Sequence, residues 1–133
     1  PQSGCPVCAK SRTLNGHRIS YIQERLAKQV ADSELNYPVL RYTIDVALVY
    51  DKIAIEYDTY FWHREISDES NREQKKNKAL LEEGWKIIRI RSNNKLPNKK
   101  QLESAVNRAR QGTHYQEIVL DDWGPETSFG FIK

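Results

Sequence analysis

The stretch TIDVALVYDKIAIEYDTYFWH, residues 43–63, constrains the fold more than any other part of the chain. It holds two runs rich in β-branched and aromatic residues, 43–50 and 52–57, around the corner Tyr50-Asp51-Lys52. Such runs about so short a corner predict a β-hairpin. Acids stand within it where strands ordinarily carry apolar side chains: Asp45 in the first run, Glu56 and Asp58 at the end of the second, with His63 soon after. A carboxylate on a strand loses hydration unless something positive neutralises it. Two carboxylates on neighbouring strands are a means of holding a hard divalent cation. Because side chains alternate along a strand, Asp45 and Glu56 reach the same end of a sheet only if the strands bend or stagger. An isolated acid of this kind is usually a solvent-facing residue of an edge hairpin; four polar groups of suitable type between positions 45 and 63 favour a metal site.

The flanking chain supplies the rest of a domain. Ile19, Ile22, Leu26 and Val30 recur at helical spacing and predict an amphipathic helix over 17–33. A further strand is expected over 37–42. After polar connecting chain at 63–70, a charged helix runs over 71–84 and ends at Gly84. The segment WKIIRIR, 85–91, is the clearest strand, with Trp85, Ile87, Ile88 and Ile90 as core candidates. Leu102, Ala105, Val106 and Ala109 mark a helix over 100–111, and a last strand is expected at 115–120. The order is helix, three strands, helix, strand, helix: an α/β arrangement with a small mixed sheet flanked by helices. A chain of 133 residues suits one such domain. It is placed at 17–120, with 1–16 a linker or remnant of an upstream module and 121–133 an irregular tail.

A formal charge of +3 permits a nucleic-acid partner without requiring one. No apolar run approaches the length of a membrane span and no signal-peptide pattern is visible, so an intracellular, cytoplasmic protein is expected. Cys5 and Cys8 form one C-x-x-C knuckle. That is half of a structural zinc site, so Zn²⁺ is expected only if an upstream module supplies the other half; two free thiols are the alternative. The start at Pro1 and the lack of methionine point to a fragment or processed form of something longer.

Asp45, Glu56-Tyr57-Asp58, His63 and the later Leu80-Leu81-Glu82-Glu83-Gly84-Trp85 segment together resemble the PD-(D/E)xK nuclease superfamily. The branch most similar is that of the very-short-patch-repair (Vsr-like) endonucleases and the related EDxHD group, which includes phage homing endonucleases. Phe61-Trp62-His63 matches the FWH of the mismatch-nicking enzymes, and the resemblance covers roughly residues 17–91. It implies a restriction-endonuclease-like core in αβββαβ order and Mg²⁺-dependent DNA cleavage, with Mn²⁺ a possible substitute. Asp45 and Glu56 would be the metal ligands, Asp58 would support them, and His63 would serve as base or water-positioning group. An acid on the first helix would complete the site: Glu24 is the natural candidate, although the family pattern aligns Gln23 there. On the second helix Asp68 ranks narrowly ahead of Glu73. The lysine of the usual E-x-K pair is absent, since Asp58 occupies its place.

Tyr60 and Trp62 are candidates for stacking on bases, with core or rim packing as the plainer role. Lys75, Lys76, Arg89 and Arg91 are candidates for phosphate contacts, Arg89 and Arg91 being read as alternating outward on one strand. The expected function is a metal-dependent DNA endonuclease of phage or bacterial, nucleoid-associated origin, acting on double-stranded DNA and forming a homodimer if both strands are cut. A homing enzyme is the first reading and a mismatch-nicking repair enzyme the second. The rivals are a non-catalytic nucleic-acid-binding module and a zinc-ribbon adaptor.

Overall fold

The computed structural model describes residues 11–14, 17–59, 67–124, 126–127 and 130–131, with backbone alone for 11–14, 17–20, 67–70, 126–127 and 130–131. The centre of the fold is a five-stranded mixed sheet. Strand β3 (Glu34–Val39), β4 (Tyr42–Leu48), β5 (Ile53–Asp58), β6 (Lys86–Arg91) and β7 (Tyr115–Val119) lie side by side in chain order. The pairs β3–β4 and β4–β5 are antiparallel, whereas β5–β6 and β6–β7 are parallel. Each parallel step needs a crossover, and two helices supply them: α2 (Ser67–Glu82) between β5 and β6, and α3 (Lys99–Arg110) between β6 and β7. A shorter helix, α1 (Tyr21–Ala27), precedes β3.

Burial follows from this layering. On one face Val46, Leu48, Ile53, Ile55, Ile88 and Ile90 pack with Leu26 of α1 and with Leu102, Ala105, Val106 and Ala109 of α3. On the other, Ala47, Ala54 and Ile87 pack with Leu80 of α2 and with Trp85 and Ile44. Central strands covered on both sides need apolar residues in both phases, which is why Ile87, Ile88 and Ile90 are all fully buried. Asn98 opens α3 by accepting from the Gln101 N–H. Gly84 ends α2 at φ +90°, a left-handed backbone that glycine takes without strain.

Several elements differ from those the sequence predicts. The expected helix over 17–33 is confined to seven residues, because His17–Ser20 pairs as β2 with β1 (Ser11–Leu14), inside the segment read as linker. Helix α2 begins at Ser67 rather than 71. The tail from 121, expected to be irregular, contains the two-residue strands β8 (Glu126–Thr127) and β9 (Gly130–Phe131), which pair with each other. Among the described residues, no helix is long and apolar enough to cross a membrane.

Candidate active site

The β4–β5 ladder runs Leu48↔Ile53, Ala47↔Ala54, Val46↔Ile55, which brings Asp45 opposite Glu56. There the two acids take over the bonding. The Asp45 backbone N–H donates to Glu56 Oε2 at 3.2 Å, and the Tyr57 N–H donates to Asp45 Oδ2 at 2.9 Å. Both strands next to this point break their alternation. Leu35 and Val46 belong to the core cluster beneath α1 and α3, while Tyr37 and Ile44, two residues away, belong to the opposite one. Asn36, between Leu35 and Tyr37, has φ +48°. The chain therefore bends at Asn36–Asp45, beside acids that the β4–β5 register already sets opposite each other.

Gln23 of α1 holds this irregular point. Its buried side-chain amide donates to Asn36 Oδ1 and to the Asp45 carbonyl, each at 2.8 Å. A backbone carbonyl left without a ladder partner inside a protein needs such a donor. Of the two candidates on the first helix it is thus Gln23 whose side chain reaches Asp45. Glu24 is half-buried and lies one position on, about 100° further round the helix.

Helix α2 covers the acids with a polar stripe. Glu73, Lys76, Asn77 and Leu80 fall at positions i, i+3, i+4 and i+7, one face of a helix. Leu80 enters the apolar cluster, and the other three meet charges on the sheet. Lys76 Nζ lies 2.6 Å from Glu56 Oε1 and 2.6 Å from the Thr43 carbonyl. Arg89 grips Asp58 through Nη1 at 2.8 and 3.0 Å and donates from Nε and Nη2 to Asn77 Oδ1. Arg91 pairs with Glu73 at 2.7 Å, Glu117 at 3.1 Å and Asp58 at 3.4 Å.

The electrostatics divide this network in two. Around Arg89 and Arg91 the charges are matched. Burial alone would lower Arg89, but Asp58, Glu56 and Glu73 outweigh it and hold its proton more firmly than usual. Arg91 is likewise raised against its burial by Glu73 and Glu117, while its bond to Glu117 keeps that carboxyl below the usual range. Burial and the bond to Glu117 push Tyr115 up to about 12. At Asp45 the balance fails. Burial first and the neighbouring Glu56 second raise its carboxyl to about 7, although Lys76 and the Tyr57 N–H pull the other way. Oδ2 is engaged; Oδ1 accepts no hydrogen bond from any described residue.

The sequence-predicted residues thus separate by place. Asp45, Glu56 and Lys76 come together. Asp58, Glu73, Arg89 and Arg91 form the adjoining ion-pair network. Arg89 and Arg91, read as pointing outward, point at α2, because β6 is central and covered on both faces; Arg89 is only 3% exposed. Lys75 is exposed on α2, and Asp68 lies in the first turn of that helix, where only the backbone is described. Cys5, Cys8, Tyr60, Trp62 and His63 lie outside the described residues. The sequence reading ranks Lys76 only as a phosphate contact and misses Asn77. The signal for both was their i+3 and i+4 spacing from Glu73 on the face that ends in Leu80.

The donor set at Asp45 and Glu56 consists of hard carboxylate oxygens. Among the described residues no group of three or more His, Cys, Asp or Glu side chains converges as a metal cage. A pair of carboxylates nevertheless fits Mg²⁺, which keeps several waters and commonly takes one or two carboxylates from the protein. No protein-family model matches the chain, and neither a curated protein nor a solved structure does so.

Proposed function

We propose that this protein is a metal-dependent endonuclease that hydrolyses phosphodiester bonds in double-stranded DNA. The observation that carries this reading is Asp45: a half-buried carboxyl raised to about 7, beside a second carboxylate, with one oxygen free of hydrogen bonds to described residues. Such a group is costly to the fold, and strongly perturbed acids concentrate where chemistry is done. The order α1, β3, β4, β5, α2, β6 agrees with a restriction-endonuclease-like core.

Asp45 and Glu56 would hold Mg²⁺, with Mn²⁺ able to substitute. A divalent ion bound there supplies Lewis acidity toward a phosphoryl oxygen. Lys76 restores the cation missing from the E-x-K position of the sequence. Its ammonium is anchored by Glu56 and the Thr43 carbonyl, and a lysine has three N–H donors. The third can orient a water or bond a phosphate oxygen at the acid pair. Gln23 keeps the Asp45 backbone in place. Asp58 is held by Arg89, so its part is to fix the floor of the site.

The test is nicking of supercoiled plasmid with Mg²⁺, against EDTA. Wild type is expected to convert supercoiled to nicked or linear DNA only with metal, and Asp45→Asn, Glu56→Gln and Lys76→Met to lose that activity by at least ~10²-fold. Equal cleavage by wild type and Asp45→Asn would refute the site. Metal-independent binding of DNA without cleavage would favour the non-catalytic module.

A further inference from the structure

The hairpin joining β3 to β4 closes with Val39 opposite Tyr42, leaving Leu40 and Arg41 as a two-residue loop. Leu40 has φ +56°. Glycine, asparagine or aspartate ordinarily occupies such a position, because a bulky side chain there is strained. Leu40 is also 66% exposed, so the strain returns no core packing. Beside it Arg41, itself exposed, sits with its guanidinium carbon 5.6 Å from the centre of the Tyr42 ring, which limits its freedom. An apolar side chain held out at a strained tip, next to a steadied cation, suits a target with both an apolar interior and an anionic exterior. Backbone outliers without structural benefit are a reason to look for function.

The position of the tip says which target. Antiparallel pairing puts the start of β4 and the end of β5 at the same edge of the sheet, so Leu40, Asp45 and Asp58 share one end. At about 3.3 Å per residue, the tip stands roughly 15 Å from Asp45 along the strand. A duplex engaged at the acid pair would extend over it. The other exposed large side chain at a hairpin turn, Tyr50, is 99% exposed but lies in the β4–β5 turn at the opposite end.

Resting on the nuclease reading, we infer that the Leu40-Arg41 tip is a wedge for duplex DNA. Leu40 enters a base step from the minor groove and partly unstacks it, while Arg41 pairs with the adjoining backbone phosphate. Leucine is among the residues that proteins use in this way. The wedge would fix the duplex a few base pairs from the scissile bond.

The experiment is done in EDTA, so that binding is read without cleavage. A fluorescently labelled duplex gives affinity, and duplexes carrying 2-aminopurine report unstacking by a rise in fluorescence. Wild type is expected to bind and raise the signal. Leu40→Gly should bind at least ~5-fold more weakly and abolish the rise, while its Tm stays level or climbs by a few degrees because glycine relieves the strained φ. Leu40→Phe should keep both properties, and Tyr50→Ala should behave as wild type. Unchanged affinity and unstacking in Leu40→Gly would overturn the wedge. So would a change in oligomeric state alone, which would make the tip a protein contact. A wild-type chain that unstacks DNA but never cuts it with Mg²⁺ would refute the nuclease and leave the wedge standing. One that cuts equally well as Leu40→Gly would refute only the wedge.

Discussion

Asp45→Asn should make this protein more stable while removing its activity. The substitution keeps the shape of the side chain and an oxygen that can accept from the Tyr57 N–H. It removes the charge that burial and Glu56 disfavour. A carboxyl raised from 3.8 to about 7 binds its proton more tightly in the folded than in the unfolded chain. At about 1.4 kcal/mol per pH unit, the ionised form costs the fold up to about 4 kcal/mol above pH 7. Allowing for rearrangement of the neighbouring dipoles, the expected gain is about 2–4 kcal/mol. The sign runs opposite to that of an ordinary salt-bridged acid. Between pH 3.8 and 7 the folded state holds more protons, so the contribution of Asp45 to wild-type stability falls as pH rises through that window. Urea unfolding of both proteins at pH 4, 6 and 8 would measure it. The advantage of Asp45→Asn should be near zero at pH 4 and largest at pH 8. A variant less stable than wild type at pH 8, or an advantage independent of pH, would refute the assignment of strain to this carboxylate.

Other consequences follow from the same network. Arg89→Met should destabilise by about 3–5 kcal/mol in denaturant, because Asp58 would remain buried without the Nη1 that bridges its two oxygens. Lys76→Met should raise the Asp45 carboxyl further above 7, since Lys76 lowers it; carboxyl ¹³C NMR titration would read the change, and a fall would contradict it. Gln23→Leu should cost about 1–3 kcal/mol by removing the amide donor to the Asp45 carbonyl and the bond to Asn36 Oδ1, with Gln23→Glu recovering less than the wild-type stability because a carboxylate cannot donate.

The hairpin, the WKIIRIR strand and α3 were legible in the sequence because each has an undisturbed period. Ile87, Ile88 and Ile90 are buried as expected, and Leu102, Ala105, Val106 and Ala109 form the stripe that α3 lays on the sheet. The candidate site was legible only as a list of residues. Asp45 and Glu56 could be named, but that they face each other follows from the β4–β5 register, Val46↔Ile55, which neither run fixes alone. Local pattern carries no signal for that. Helix α2 looked merely charged because its inward stripe is polar: it packs on ionised side chains, so the usual contrast between apolar and polar faces is missing. The burial of Arg89 and Arg91 is invisible for the same reason, since alternation tells which side of a strand a residue takes but not what covers that side.

Electron paramagnetic resonance of Mn²⁺ added to the intact chain at pH 8 addresses the acid pair itself. Wild type should remove free Mn²⁺ from solution at about one ion per chain, with Mg²⁺ competing, while Asp45→Asn and Glu56→Gln leave the ion free. Binding undiminished in Asp45→Asn, or none in wild type even with duplex DNA present, would contradict the claim that these two carboxylates hold a divalent cation.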